Sequence, residues 1–281
     1  MNLKIKNPIT KIIIWFFLLI WSVSVLYPLI WTLLDSLKNN KQFFLNSPWA
    51  LPKIPLFWSN YSDVWTRYHL GTYFGNSIIV TLGSTLLALL LSATTAYVLA
   101  RYTFKGGNAL LLLYIASMMV PLSLALIPLY FLLNDLHLVN TLLGLILVYT
   151  AMSLSFGIFV LVGFYKSLPK DLEEAAIIDG TTYFGTFFRV MLPLSQPGLI
   201  TIAITNVLSN WNEFFLGVVL VNDPEKYTLP VALNVMQAEF QYRTEWGQLF
   251  AALLIVTLPV LIFYVFFQKQ IASGITAGAV K

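Results

Sequence analysis

Long uncharged stretches alternate with short charged ones along the whole chain. Ile12–Leu34, Tyr73–Ala100, Asn108–Asn134, Leu138–Tyr165 and Gly247–Gln268 contain no Asp, Glu, Lys or Arg. A further run, Val190–Asn222, meets one charge, Glu213. A membrane-crossing helix needs about 20 apolar residues, and a barrel strand only about 9–11 alternating ones. Backbone groups in lipid must be satisfied within the segment, so runs of this length are helices. The pattern predicts an all-α integral membrane protein with six transmembrane helices, at about 12–34, 74–99, 109–132, 140–164, 197–220 and 247–268. Residues 165–196 form a loop between the fourth and fifth spans, and the whole chain is one transmembrane domain.

Composition supports this. Of 281 residues, 58% are hydrophobic and 10% charged, where a soluble chain carries about 25% charged residues. An ordinary soluble enzyme is excluded. Cysteine is absent and His69 and His137 lie far apart, which leaves no disulfide scaffold, thiol chemistry or histidine metal cluster. The net charge of +4 is scattered between apolar runs, as in loops of a membrane protein, so it does not indicate nucleic acid. Lys4, Lys6 and Lys11 precede a first run that is longer than a cleaved signal's core, and no A-x-A site follows it. That run is expected to remain as a span.

Loop charges orient the chain. With the N-terminus inside, inner segments hold Lys4, Lys6, Lys11, Arg101, Lys105, Lys166, Lys170, Arg189, Lys269 and Lys281. Outer segments, longer in total, hold Lys38, Lys41, Lys53, Arg67, Lys226 and Arg243. The positive-inside rule then places both termini in the cytoplasm. Pro121 and Pro128, seven residues apart, fall on nearly one face of the third span and are expected to kink it, as ordinary membrane prolines or as part of a gate.

The loop from Ser167 to Leu199 carries the most specific pattern. Ser167 as N-cap, Pro169 in the first turn and acids at Asp171, Glu173 and Glu174 predict a helix start. Gly180 stops it, and Thr181 or Thr182 caps a second short helix that ends before Pro193. Leu172, Ala175, Ala176 and Asp179 share a face. Its paired alanines leave it thin enough for another protein to close around it. A helix resting on lipid would instead carry large apolar residues and lysines.

LEEAAIIDG (Leu172–Gly180) followed by FRVMLPL (Phe188–Leu194) resembles the EAA loop of ABC-importer permeases. The resemblance extends to YVLARYTFKGG (Tyr97–Gly107), MMVPLSLALIPLY (Met118–Tyr130), SNWNEFF (Ser209–Phe215) and GITAGAVK (Gly274–Lys281). It is strongest to the smaller permease of maltose-type carbohydrate importers, with Thr181 standing where alanine is common. The resemblance implies the type I ABC-importer permease fold. It also implies a subunit that forms half of a translocation pathway with a second homologous permease. An ATP-binding subunit dimer and an extracytoplasmic sugar-binding protein would complete the assembly. The chain has no G-x-x-x-x-G-K-[ST] loop, so it is not expected to be an enzyme or to bind a cofactor. ATP and Mg would sit on the partner ATPase.

By the same resemblance, Glu173, Glu174, Ala175, Ala176, Asp179, Gly180, Leu192 and Pro193 couple to the ATPase, with Glu174 meeting a basic residue there. The tail, with Gly274, Thr276, Gly278 and Lys281, reaches the ATPase subunits. The outer loop, with Met236, Gln237, Phe240, Gln241, Tyr242 and Trp246, contacts the binding protein.

Asn206, Asn210 and Glu213 recur at i, i+4 and i+7 and so share one face of the predicted fifth helix, with Trp211 and Asn212 beside them. The stripe is either a polar lining for a hydroxyl-rich solute, with Trp211 free to stack on a sugar, or an interhelical hydrogen-bond clamp. An importer of peptides or amino acids is the nearer alternative reading, because the EAA loop is shared across substrates. A stand-alone secondary transporter would show an inverted repeat and intramembrane charges, which are not evident.

Overall fold

The computed structural model describes residues 8–47 and 49–279, with Gln241 and residues 272–279 described in backbone only. The described residues are overwhelmingly helical and include no strand. In chain order the helices are α1 (Pro8–Asp35), α2 (Asn40–Leu45), α3 (Ser59–Arg67), α4 (Leu70–Arg101), α5 (Gly107–Ser117), α6 (Leu122–Asp135) and α7 (Leu142–Ser167). They continue with α8 (Asp171–Ile178), α9 (Tyr183–Thr186), a π-helical segment (Phe187–Met191), α10 (Leu192–Leu194), α11 (Gln196–Trp211) and α12 (Phe215–Leu220). After a 3₁₀ turn at Pro224–Lys226 come α13 (Leu229–Arg243) and α14 (Trp246–Ala279).

Among the described residues, four helices are long and apolar enough to cross a bilayer unaided: α1, α4, α7 and α14. The other two predicted spans are broken. Around Pro121 the chain turns by 105° between α5 and α6, where a kinked continuous helix is predicted. Pro121 is the extended N-cap of α6, a position suited to a residue that cannot donate to the preceding ladder, and Pro128 lies inside α6. A 71° bend at Ser195 separates the Tyr183–Leu194 stretch from α11, at the predicted end of the loop 165–196. The fifth predicted span, 197–220, is itself interrupted once, where α11 ends at Trp211 before α12 begins at Phe215. With each bent pair taken as one crossing, six spans result.

The chain forms two compact units, residues 1–70 with 233–258, and residues 71–232 with 259–281. In the first, the Asn60 side-chain amide donates to the carbonyls of Ser36 and Lys38 at 2.7 and 2.9 Å. Lys38 and Asp35, both buried, pair at 2.7 Å, and the ammonium lies 5.0 Å from the Trp31 ring. Phe43 stacks on Phe250 and the Phe240 ring meets Tyr68 edge-on at 4.8 Å.

In the second unit α7 is the central element, with buried residues on much of its circumference. One core joins α4 and α7 to the loop segment and α11 through Ala93, Tyr97, Ile158, Leu161, Tyr165, Phe187, Met191 and Ile202. A second core gathers Val80, Leu133, Leu145, Tyr149, Leu216 and Leu220. Apolar burial does not drive association within lipid, so close approach at small residues does the work. A Cβ added at Gly157 of α7 would stand 2.9 Å from the Ser92 side chain of α4. Polar pins fix the connection before α13. Asn140 Oδ1 accepts the backbone N–H groups of Asn222 and Asp223 at 3.0 and 2.8 Å. Asn76 Nδ2 donates to the carbonyls of Glu225 and Tyr227 at 2.8 and 3.0 Å.

Candidate functional site

The segment 165–196 begins where α7 ends at Ser167, and α8 begins at Asp171 with Lys170 as N-cap. Ser167, predicted as the cap, instead returns its hydroxyl to the Phe164 carbonyl. Acids at Asp171, Glu173 and Glu174 occupy the first turn of α8, where the exposed N–H groups favour negative charge. At the other end Gly180 takes φ +84°, a conformation costly for a residue with a Cβ. The Gly180 N–H donates to the Ile177 carbonyl at 2.9 Å and the Thr181 N–H to the Ala176 carbonyl at 3.1 Å. These are the two bonds of a Schellman motif, so Gly180 fixes both where α8 stops and how the chain leaves it.

Thr181 adds to this stop. Its hydroxyl donates to the Ala176 carbonyl at 2.7 Å and lies 2.8 Å from the Thr186 hydroxyl. The position where alanine is common in the resembling family here ties α8 to α9. Thr182 is the N-cap of α9, accepting from Gly185 N–H at 3.1 Å. The second helix does not end before Pro193. It widens into the π turn Phe187–Met191 and continues through Leu192–Leu194, the wide turn relieving the clash between a proline ring and the preceding carbonyls.

The predicted thin face of α8 is divided. Ala176 is buried at 7% exposure against the chain's own core, whereas Ala175, Asp179 and Leu172 are exposed. Glu173 also turns inward. Its carboxylate pairs with Arg101, the last residue of α4, at 3.1 Å, with side-chain exposures of 15% and 4%. Arg101 Nη2 donates to the Leu168 carbonyl at 3.0 Å. Glu174, the next residue, is exposed, as is Pro193, and Leu192 is half-buried. Of the eight predicted coupling residues, Glu173 and Ala176 therefore contact the chain's own body, while Glu174, Ala175, Asp179 and Gly180 form an outward surface. Arg101 was legible in the sequence only as a loop charge, since its partner lies 72 positions away. Beside this pair an apolar cavity of about 410 Å³ is lined by Thr94, Tyr97, Val98, Tyr102, Tyr183, Phe184 and Phe187.

In the predicted polar stripe of the fifth span, Asn210 and Glu213 make interhelical hydrogen bonds. Asn210 Nδ2 donates to the Ser84 hydroxyl at 2.9 Å. Glu213 does not share the helical face with Asn206 and Asn210, because α11 has already ended. It accepts the N–H groups of Leu216 and Gly217 at 2.8 and 3.1 Å and the Tyr149 hydroxyl at 2.6 Å. Glu213 thus caps α12 and ties it to α7. Trp211 is buried and packs edge-on against Phe74 at 5.7 Å, so its face is closed to a sugar ring. Asn212 is exposed and bonds back to the Leu208 carbonyl. Asn206 is buried with its Nδ2 unpaired.

The predicted outer loop is mostly helix. Met236–Arg243 belongs to α13, and Met236 and Phe240 are buried at 4% and 0% exposure. Packing removes these two from any contact surface, while Gln237 and Tyr242 are exposed, Tyr242 at 92%, and Trp246 is half-buried. The side chain of Gln241 is outside the described residues. At the C-terminus Gly274, Thr276 and Gly278 continue the backbone of α14. Their side chains, and Lys281, lie outside the described residues.

Residues 88–277 match the family described as binding-protein-dependent transport system inner membrane component, and the chain belongs to that family. It is 40% identical over 264 residues, 94% of this chain and 87% of the relative, to the diacetylchitobiose uptake system permease protein NgcG of Streptomyces coelicolor. It is 38% identical over 92% of its length, and 90% of the relative's, to the sulfoquinovosyl glycerol transport system permease protein SmoH of Agrobacterium fabrum. Against the arabinooligosaccharides transport system permease protein AraQ of Bacillus subtilis the identity is 34%, with 96% of each chain covered. The fold matches, with TM-score 0.82 and 23% identity over 96% of this chain and 99% of the other, a chain of a bacterial ABC transporter involved in the import of the acidic polysaccharide alginate.

Proposed function

We propose that this chain is the permease subunit of an ATP-driven, binding-protein-dependent importer of carbohydrates, most specifically oligosaccharides. It pairs with a second homologous permease to enclose the pathway. A separate ATPase dimer docks on α8 from the cytoplasm, where both termini also lie, and an extracytoplasmic binding protein delivers the sugar. The observation that carries this reading is the outward Glu174 on a short helix, fixed at both ends, within a fold and family of import permeases. Relatives at 34–40% identity are named for diacetylchitobiose, sulfoquinovosyl glycerol and arabinooligosaccharides, which favours carbohydrate over peptide or amino acid.

The chain performs no hydrolysis itself. ATP-driven closure of the ATPase dimer displaces α8, and the stiff bundle around α7 responds as a rigid body that exchanges one arrangement of spans for another. The near-complete exposure of α1, no residue of its most apolar window being buried, supports a surface covered by lipid and a partner.

The test is uptake by proteoliposomes holding the complete transporter. Glu174→Lys is expected to abolish ATPase docking and oligosaccharide uptake while the permease still inserts. Wild-type docking and uptake in that variant would remove the coupling assignment. Uptake of peptides, with no competition from oligosaccharides, would replace the substrate class.

A further inference from the structure

We propose that the buried Arg101–Glu173 ion pair is a strut that carries displacement of α8 into the membrane span α4. Arg101 and Glu173 are then positioning residues for coupling rather than parts of the ATPase-docking surface. The proposal rests on the assignment of α8 as the docking helix.

The chain itself joins α8 to α7 through residues 168–170 and to α9 through Gly180, but α4 is 70 residues away in sequence. Arg101 bridges that gap from the last residue of α4. Its Nε faces Glu173 Oε2 at 3.1 Å, and its Nη2 donates to the Leu168 carbonyl at 3.0 Å and reaches the Pro169 carbonyl at 3.5 Å. One guanidinium therefore holds both the helix and the linker that leads into it. The planar fork of arginine suits such a double attachment, and a lysine ammonium would not reproduce it.

Glu173 and Glu174 are consecutive, so they point about 100° apart around the helix. One carboxylate faces inward to Arg101 and the other outward. A load applied at Glu174 is delivered one residue away at Glu173, across a distance too short for slack. Both partners of the pair are largely removed from water, so separating them would leave a desolvated charge uncompensated. The pair therefore moves as a unit rather than breaking and reforming. Tyr97, one turn before Arg101, reinforces the junction. Its ring packs on Tyr102, Tyr165 and Phe187 at 5.7, 5.6 and 5.0 Å.

The experiment uses the complete transporter in proteoliposomes. It measures ATP hydrolysed per oligosaccharide moved, together with copurification of the ATPase subunits. Arg101→Gln and Glu173→Gln are expected to retain the ATPase subunits and their hydrolysis, while transport falls so that ATP consumed per sugar rises roughly tenfold, within the usual range of coupling between sites. The exchanged pair, Arg101→Glu with Glu173→Arg, is expected to bring the ratio back toward wild type. A merely structural pin would lower hydrolysis and transport together and leave the ratio unchanged.

Should Arg101→Gln fail to assemble, Arg101→Lys keeps the charge and supplies the same readout. A wild-type ratio in the assembled single variants would overturn the strut, as would loss of assembly that the exchanged pair does not restore. Glu174→Lys is run alongside. Intact docking and coupling in that variant would overturn the parent assignment, whatever the Arg101 variants do.

Discussion

The Tyr149 hydroxyl donates a 2.6 Å hydrogen bond to the Glu213 carboxylate across 64 residues of sequence. Glu213 also receives two backbone N–H groups of α12, so one carboxylate closes a helix break and fastens it to α7. Removing it would leave buried donors unpaired.

Glu213→Ala is expected to destabilise the assembled permease by about 3 kcal/mol, and Tyr149→Phe by about 1.5 kcal/mol, the usual range for hydrogen bonds to a charged group. Thermal unfolding in detergent checks this. The KM for sugar should stay at the wild-type value in Glu213→Gln. A changed KM with an unchanged unfolding midpoint would place Glu213 on the solute's path instead.

Gly157 and Ser92 leave no room for a methyl group between α7 and α4. Gly157→Ala should cost about 1–3 kcal/mol through overpacking, read as a loss of monodisperse protein on size exclusion. Adding Ser92→Gly should recover most of that loss. Failure of the second change to help would show that the crowding lies elsewhere.

At Gly180 the backbone conformation, rather than space, sets the requirement, since no atom lies within 4 Å of an added Cβ. Gly180→Val should therefore abolish uptake, whereas Gly180→Asn, a residue that tolerates the left-handed region, should retain much of it. Equal uptake by the two variants would contradict this account.

Tyr68, in the connection before α4, has a raised pKa. Burial is the larger cause, followed by the Glu239 and Glu245 carboxylates. Its neutral form is the one that fits. The associated stability is fully present below the ordinary value of 10.0 and is lost as pH rises through the folded-state value. Unfolding midpoints taken from about pH 9 to about pH 11, spanning the ordinary tyrosine range, should fall more steeply for wild type than for Tyr68→Phe. Parallel curves would mean that the Tyr68–Phe240 contact is not retained in solution.

The sequence alone determined that this chain is helical and lives in a bilayer. Those properties follow from run length and from the absence of charge, both local and additive. The EAA segment was also readable, because its acids, its Gly180 stop and its Thr182 cap act within a single turn. Tertiary structure alone decided which way each of those residues faces. Glu173 and Ala176 turn inward because Arg101 and the α4–α7 core lie beneath them, and no spacing rule reports a partner 72 positions distant. The break near Asn212 was likewise hidden, and at Pro121 the proline signalled a kink but not a turn of 105°. A hydropathy run stays continuous through a bend whenever the freed backbone groups find other acceptors; at the start of α12 that acceptor is the Glu213 carboxylate, held in place by Tyr149 of α7.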